Sequence, residues 1–198
     1  MSGPLPDGSP QGASTATVLF LVGTDHHPFT RLVRWADDYA AGRDRSVRVV
    51  VQYGTAPPPQ VAEGFLMLPH ADLQALVHAA DVVVSHGGPA TICEVRRSGS
   101  MPVVVPRDPG RGEHVDGHQQ RFARRMGQEG LVVLCEEQAD LEAALDRALL
   151  DPTWLPVCSD DEKARTARAV DAVGAVVEGL TGRRAGRGAR VLHRARRS

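Results

Sequence analysis

Residues 81–94 read Asp-Val-Val-Val-Ser-His-Gly-Gly-Pro-Ala-Thr-Ile-Cys-Glu, or DVVVSHGGPATICE. The run from Asp81 to Ser85 is short, β-branched and apolar, as a strand buried on both faces is. Pro89 stands where a helix can begin, since its missing N–H costs nothing at that position. The helix is expected to run from Pro89 to Ser98. Ser85, His86, Gly87 and Gly88 form the strand-to-helix junction. Two readings of this junction stand side by side. It is a tight turn with no ligand, or it is a cradle whose glycines, free N–H groups and positive helix end hold an anion such as a pyrophosphate.

The same alternation continues on both sides. Strands are expected at Thr17–Val22, Val47–Gln52, Gly64–Leu68, Met101–Pro106 and Leu131–Leu134. Between and after them come helices. One carries Phe29, Leu32, Val33, Ala36 and Tyr39 at helical spacing, with Trp35 beside that stripe. Others cover Ala71–Ala80, Val115–Met126, Ala139–Leu149 and Glu162–Leu180. Continuous apolar strands alternating with helices predict a Rossmann-like α/β fold: a mostly parallel sheet with helices on both faces. Residues 17–180 form this one domain. Residues 1–16 and the basic tail 181–198 are expected to be disordered.

Ligands in such sheets bind beyond the carboxyl ends of the strands. Unusual residues gather there: Gly23-Thr24-Asp25-His26-His27, Ser85–Thr91 and Arg107–His118. Neither common nucleotide motif is present, because Gly23-Thr24-Asp25 is no GxGxxG and no Gly-Lys-Ser/Thr occurs. Glu94, on the second turn of its helix, points back toward the helix start. It either accepts a ribose diol or pairs with Arg96 or Arg97. His26 and His27 are candidate general bases, or exposed loop histidines. His114 and His118 are four apart, so a helix would put both on one face, as zinc ligands can be. No third ligand has a recognisable spacing, so no metal is expected. Hydrogen bonding of His118, Gln119 and Gln120 to a polar ligand is the better use. Cys93 lies on an apolar helix face and reads as core.

The 198 residues suggest one domain, and the formal net charge of −1 does not suit a nucleic-acid binder. Seven arginines and no acid lie between Arg183 and Ser198, so the tail could meet anionic lipid or an acidic partner. Three cysteines without CxxC spacing point to a reducing compartment. No apolar run is long enough to span a bilayer, and the N-terminus has no secretory apolar core. A cytoplasmic protein is expected.

The stretch SHGGPATICEVRRSGSMPVVVP, followed by HVDGHQQ, resembles the C-terminal, donor-binding domain of glycosyltransferase family 28. In size it is most similar to the small catalytic subunits of two-component exopolysaccharide glycosyltransferases. The resemblance covers roughly Thr17 to Leu149. It implies one half of a GT-B enzyme that moves a sugar from UDP to a lipid-linked acceptor in surface-polysaccharide synthesis. It also implies a membrane-associated partner that supplies the acceptor half and holds this chain at the inner face of the plasma membrane. Gly23, Thr24, Ser85, His86, Gly87, Gly88 and Thr91 would face the donor diphosphate, Glu94 the ribose, and His118, Gln119 and Gln120 the sugar. His26 or His27, or the partner, would supply the base. No metal or other cofactor is implied, because helix-end amides meet the leaving diphosphate. Trp35, Pro57–Pro59 and the arginine tail are candidate partner contacts. Relatives carry Ala where Gly87 stands, a difference expected to be neutral. They also carry an Asn-Ala pair where this chain has Ala123-Arg124, which leaves the donor sugar open. Two other readings remain: a non-catalytic nucleotide-sugar sensor, and a UDP-sugar hydrolase or epimerase acting alone.

Overall fold

The computed structural model describes residues 15–43 and 46–155. The expected disordered start before residue 15, the helix Glu162–Leu180, Cys158 and the arginine tail lie outside the described residues. Six strands, β1 (Ala16–Leu21), β2 (Val47–Gln52), β3 (Glu63–Phe65), β4 (Val82–Ser85), β5 (Val103–Val104) and β6 (Val133–Leu134), form one sheet in the order β3-β2-β1-β4-β5-β6. Every pairing is parallel. Five helices connect or follow them: α1 (Thr30–Ala41), α2 (His70–Ala79), α3 (Pro89–Arg97), α4 (His118–Gln128) and α5 (Gln138–Leu150).

The pleat explains why the strands read as unbroken apolar runs. Val18, Phe20 and Val22 pack on one face with Phe29, Leu32, Val33 and Ala36 of the α1 region and Leu141 and Leu145 of α5. Leu19 and Leu21 point the other way, toward Val77 of α2 and Val95 of α3. Both sets are needed because helices cover both faces. Each fully buried Val, Leu or Phe contributes about 1.5–3 kcal/mol.

Five details differ from the sequence reading, the first being β3, which covers Glu63–Phe65 and not Gly64–Leu68. Trp35 lies within the buried face of α1, 9% exposed, and not beside it. The inward face of α1 is wide, and the Arg31 guanidinium stacks 4.7 Å over the Trp35 ring. β5 is two residues long, not six. Pro102 and Pro106 bracket it, and neither can donate to the ladder. β6 is likewise confined to two residues, pairing only with β5. α4 begins at His118, because the Asp116 carboxylate takes the His118 amide at 2.9 Å and holds 115–117 as a turn. His114 and His118 therefore do not share a helix face.

Pro57 and Pro58 are exposed, as a surface loop is. Cys93 and Cys135 are buried, and burial pushes the Cys135 thiol up to about 12. Both read as packing residues. Among the described residues, no helix is long and apolar enough to cross a membrane.

Candidate functional site

The sheet order reverses direction between β1 and β4. In an open α/β sheet that reversal leaves a crevice at the carboxyl ends of the two strands. A cleft of about 280 Å³ lies there, lined by Gly23, Thr24, Gln52, Met67, Leu73, His86, Gly88 and Thr91, among others. The first loop and the β4–α3 turn thus meet, as expected from the sequence.

The turn is shaped by backbone. Gly87 takes φ +87°, a region L side chains rarely adopt, and a Cβ there would sit 3.3 Å from Val104 Cγ1. Alanine at this position is therefore strained, contrary to the neutral effect expected. Gly88 is the N-cap of α3, Pro89 its first residue, and no side chain caps the end. The first-turn amides have no intrahelical acceptor, so an uncapped, positive helix end opens at the cleft.

Gly23 and Gly88 have a further role that the sequence did not show. A Cβ on Gly23 would lie 2.6 Å from His86 Cε1, and one on Gly88 2.4 Å from His86 Nε2. The imidazole is slotted between the two glycines. Its Nδ1 lies 3.3 Å from the Leu21 carbonyl, which assigns Nδ1 as the donor and leaves Nε2 toward the cleft. Burial lowers the His86 pKa to about 4, helped by the Arg107 charge, so the ring is neutral at neutral pH. Gln52 brackets the first loop, its Oε1 accepting from the Gly23 amide at 3.3 Å and its Nε2 donating to the Gly23 carbonyl at 3.2 Å.

Three of the candidate site residues carry a buried side-chain atom without a hydrogen-bond partner, Ser85 Oγ, Glu94 Oε1 and Gln119 Oε1, and so does Arg107 at Nε. Native structures leave few such groups. The Ser85 side chain is wholly enclosed, so of the three it is the least able to reach a ligand. Glu94 has His70 Nδ1 at 3.6 Å from its Oε1, across from α2, and no pairing with Arg96 or Arg97 is seen. Gln120 lines a different recess beside Arg124 and Glu136, and the His118 side chain is largely exposed.

The histidines of the first loop are not equivalent. Asp25 Oδ1 accepts from the His27 amide at 2.8 Å and from its Nδ1 at 2.7 Å. His26 stands 81% exposed, 3.6 Å from the same oxygen. Burial would raise the Asp25 pKa, but the two His27 hydrogen bonds and the Arg107 charge outweigh it and bring it to about 2. Asp25 is therefore a carboxylate. The ring of His27 is fixed with Nε2 outward, and that of His26 is not. The pattern repeats at Asp116 and His118, whose amide and Nδ1 both reach that carboxylate. His114 stands between the two acids, at 3.6 Å from Asp25 and 3.7 Å from Asp116.

Arg107 has a role that sequence reasoning missed, although its loop stood out. It is 1% exposed. Its guanidinium donates to the carbonyls of Val22 at 2.7 Å, His27 at 2.7 Å and Glu113 at 2.8 Å. Glu113 in turn is gripped by Arg31 through both carboxylate oxygens, at 2.9 and 2.7 Å, and accepts from the Asp108 amide. One buried cation thus ties the loop after β1 to the loop after β5. Only its adjacency to Pro106 at a strand end could have drawn attention to it.

Residues 17–173 match the glycosyltransferase family 28 C-terminal domain. Among solved structures, the glycosyltransferase of kitacinnamycin is 21% identical at a TM-score of 0.58, over 87% of this chain and 46% of its own. CalG4, the calicheamicin glycosyltransferase, is 19% identical with a TM-score of 0.53, over 88% and 46%. MurG of Acinetobacter baumannii is 19% identical with a TM-score of 0.53, over 83% and 51%. At these identities the structures establish the fold, that of the C-terminal half of GT-B glycosyltransferases. The chain spans about half the length of the structures it matches. It belongs to the glycosyltransferase family 28 C-terminal domain family.

Proposed function

We propose that this chain is the donor-binding half of a UDP-sugar glycosyltransferase, transferring a sugar to a lipid-linked acceptor in surface-polysaccharide synthesis. One observation carries the reading. An uncapped helix end opens on a cleft at the β1/β4 crossover, and on the second turn of α3 Glu94 presents a buried oxygen that makes no hydrogen bond, its nearest base being the exposed His70 at 3.6 Å. An anion at the helix end and a diol at Glu94 satisfy both, and a nucleoside diphosphate offers both at once.

The roles follow from position. The N–H groups of Gly88, Ala90 and Thr91, with that of Thr24 in the first loop, take the diphosphate. Ser85 supports the turn from beneath, and the neutral His86 ring, its Nδ1 donating to the Leu21 carbonyl, wedges between Gly23 and Gly88 and holds the two loops in place. Glu94 accepts from the ribose hydroxyls. Gln119, with its unpartnered Oε1, contacts the sugar, with His118 and Gln120 at the margin. As the sugar leaves UDP, negative charge grows on the diphosphate. Preorganised amides and the helix end stabilise it without a metal. His27, held by Asp25, is better placed than His26 to take the acceptor proton.

A donor half leaves its cleft open on the acceptor side. The acceptor half is a second, membrane-associated protein, which keeps this chain at the cytoplasmic face of the membrane. The test is calorimetric titration of the chain with UDP, UDP-glucose, UDP-N-acetylglucosamine and UDP-glucuronate, in wild type and Glu94→Ala. Losing the ribose contacts should weaken binding by about 10–100-fold, the worth of hydrogen bonds to a charged group. Equal affinity in the two proteins would remove Glu94 from the site.

A further inference from the structure

Three imidazoles from two loops converge on one carboxylate. Asp25 Oδ1 lies 2.7 Å from His27 Nδ1 and 3.6 Å from His26 Nδ1, while its Oδ2 lies 3.6 Å from His114 Nε2. His114 comes from the loop after β5, about ninety positions further along the chain, so tertiary structure makes the cluster. Donor binding, as described above, makes no use of His114.

The set has the chemistry of a metal seat. Zinc takes imidazole nitrogen at about 2.0–2.1 Å and carboxylate oxygen at about 2.0–2.2 Å, commonly in a tetrahedron. Ligand atoms on such a tetrahedron stand roughly 3.3–3.5 Å apart, as those bond lengths require. The observed separations of 2.7–3.6 Å bracket that edge. The ligand atoms of Asp25, His26 and His27 all fall within 4.8 Å of one another, and His114, which meets the other Asp25 oxygen, has to turn toward these three to complete the set.

The support behind the cluster also fits. His114 Nδ1 lies 3.3 Å from the Asp116 carbonyl. The Asp116 amide lies at the same 3.3 Å, so Nδ1 either accepts from the amide or donates to the carbonyl; donation to the carbonyl turns the Nε2 lone pair toward Asp25, the usual brace for a metal-binding histidine and the tautomer that a bound ion selects. The Asp25, His27 and His114 side chains are 25, 23 and 16% exposed, and His26 is 81% exposed. Three ligands are sheltered, and the fourth can swing in from solvent. Binding replaces the His27–Asp25 hydrogen bond and requires the His27 Nδ1 proton to leave or move to Nε2.

We propose that Asp25, His26, His27 and His114 form a seat for a divalent transition-metal ion of the zinc type, separate from the amide cradle for the diphosphate. This goes beyond the donor reading and does not depend on it. An ion seated here would occupy the His27 ring, so metal binding and sugar transfer are measured separately.

The test uses the full chain, freed of metal and carrying no affinity tag. It is titrated with Zn²⁺ by calorimetry and with Co²⁺ by visible absorption. One ion per chain is expected, with the intense bands of tetrahedral Co²⁺. His114→Ala and Asp25→Asn should each weaken binding at least 10-fold, as loss of ligands or their supports does. His26→Ala, at an exposed position that cannot unfold the chain, should weaken binding and dim the Co²⁺ bands. His78→Ala, on the surface of α2, should change nothing. UDP affinity measured in EDTA should match that of the metal-free chain. The inference is overturned if wild type binds neither ion, or if His26→Ala and His114→Ala bind as wild type does.

Discussion

Two loops at the carboxyl edge of the sheet, one lining the cleft and one beside it, are built in opposite ways. The turn after β4 is set by backbone. Gly87 takes a positive φ, Gly88 leaves room for a ring, and Pro89 starts the helix. The loop after β5 is set by side chains, with Arg107 donating to three carbonyls and Arg31 holding Glu113. A turn made by backbone constraint announces itself in residue types, because only Gly and Pro meet the constraint. A loop held by long-range hydrogen bonds does not, because an arginine in sequence is equally an exposed arginine.

The sharpest way to break this contrast is Arg107→Met. It should lower unfolding stability by about 3 kcal/mol or more, since three buried acceptors lose a charged donor at about 1–3 kcal/mol each. A urea unfolding curve with a lowered midpoint and an unchanged slope measures it. A loss below 1 kcal/mol would mean that the β5 loop does not depend on the clamp.

The backbone-set side has its own signature in pH. His86 has a folded pKa of about 4, below its ordinary value of 6.5. Protonation therefore favours the unfolded chain. The stabilisation is complete above about pH 6.5 and is lost as pH falls through the window down to about 4, on the order of 2–3 kcal/mol. Asp25, lowered from 3.8 to about 2, loses its own contribution only below that window. Unfolding curves between pH 7 and 4 should show the slope in wild type and a flatter one in His86→Gln.

Gly88→Ala comes next in size. Its φ of −67° suits any residue, so the only obstacle is the His86 ring at 2.4 Å. The substitution should cost about 1–3 kcal/mol, as overpacking does, and under about 1 kcal/mol in a His86→Ala background. Gly23→Ala should stay costly in both backgrounds, because its φ of +83° remains strained. A double-mutant cycle by urea unfolding separates the two glycines. The smallest effect belongs to an exposed Arg–Glu pair, Arg48 with Glu63 on β2 and β3 at 2.7 Å. Arg48→Ala should change stability by less than about 1 kcal/mol, against which the buried Arg107 is to be judged.

What the sequence made legible follows the same division. β1, β2 and β4 were visible because both of their faces are buried, and the β4–α3 turn because of its glycines and proline. The shortness of β5 depends on which backbone groups its two flanking prolines withdraw, and a six-residue apolar run hides that. Trp35 looked peripheral because the buried stripe of α1 is broader than a strict helical repeat. Glu94 and the first-loop histidines stood out in the sequence by residue type and by their place after β4 and β1. Their partners, His70 and Asp25, could only be paired by geometry. Gln52, Arg107 and His114 act across 29, 85 and 89 positions of sequence, and no local pattern encodes such reach.

The most direct measurement is calorimetric titration of the chain with UDP and with uridine, both in EDTA. If the β4–α3 turn is a diphosphate cradle, UDP binds without metal and roughly 100-fold more tightly than uridine, the worth of two or so charge-assisted hydrogen bonds. If a folded chain binds UDP no better than uridine, or binds neither, the turn does not hold a diphosphate and the account fails at its centre.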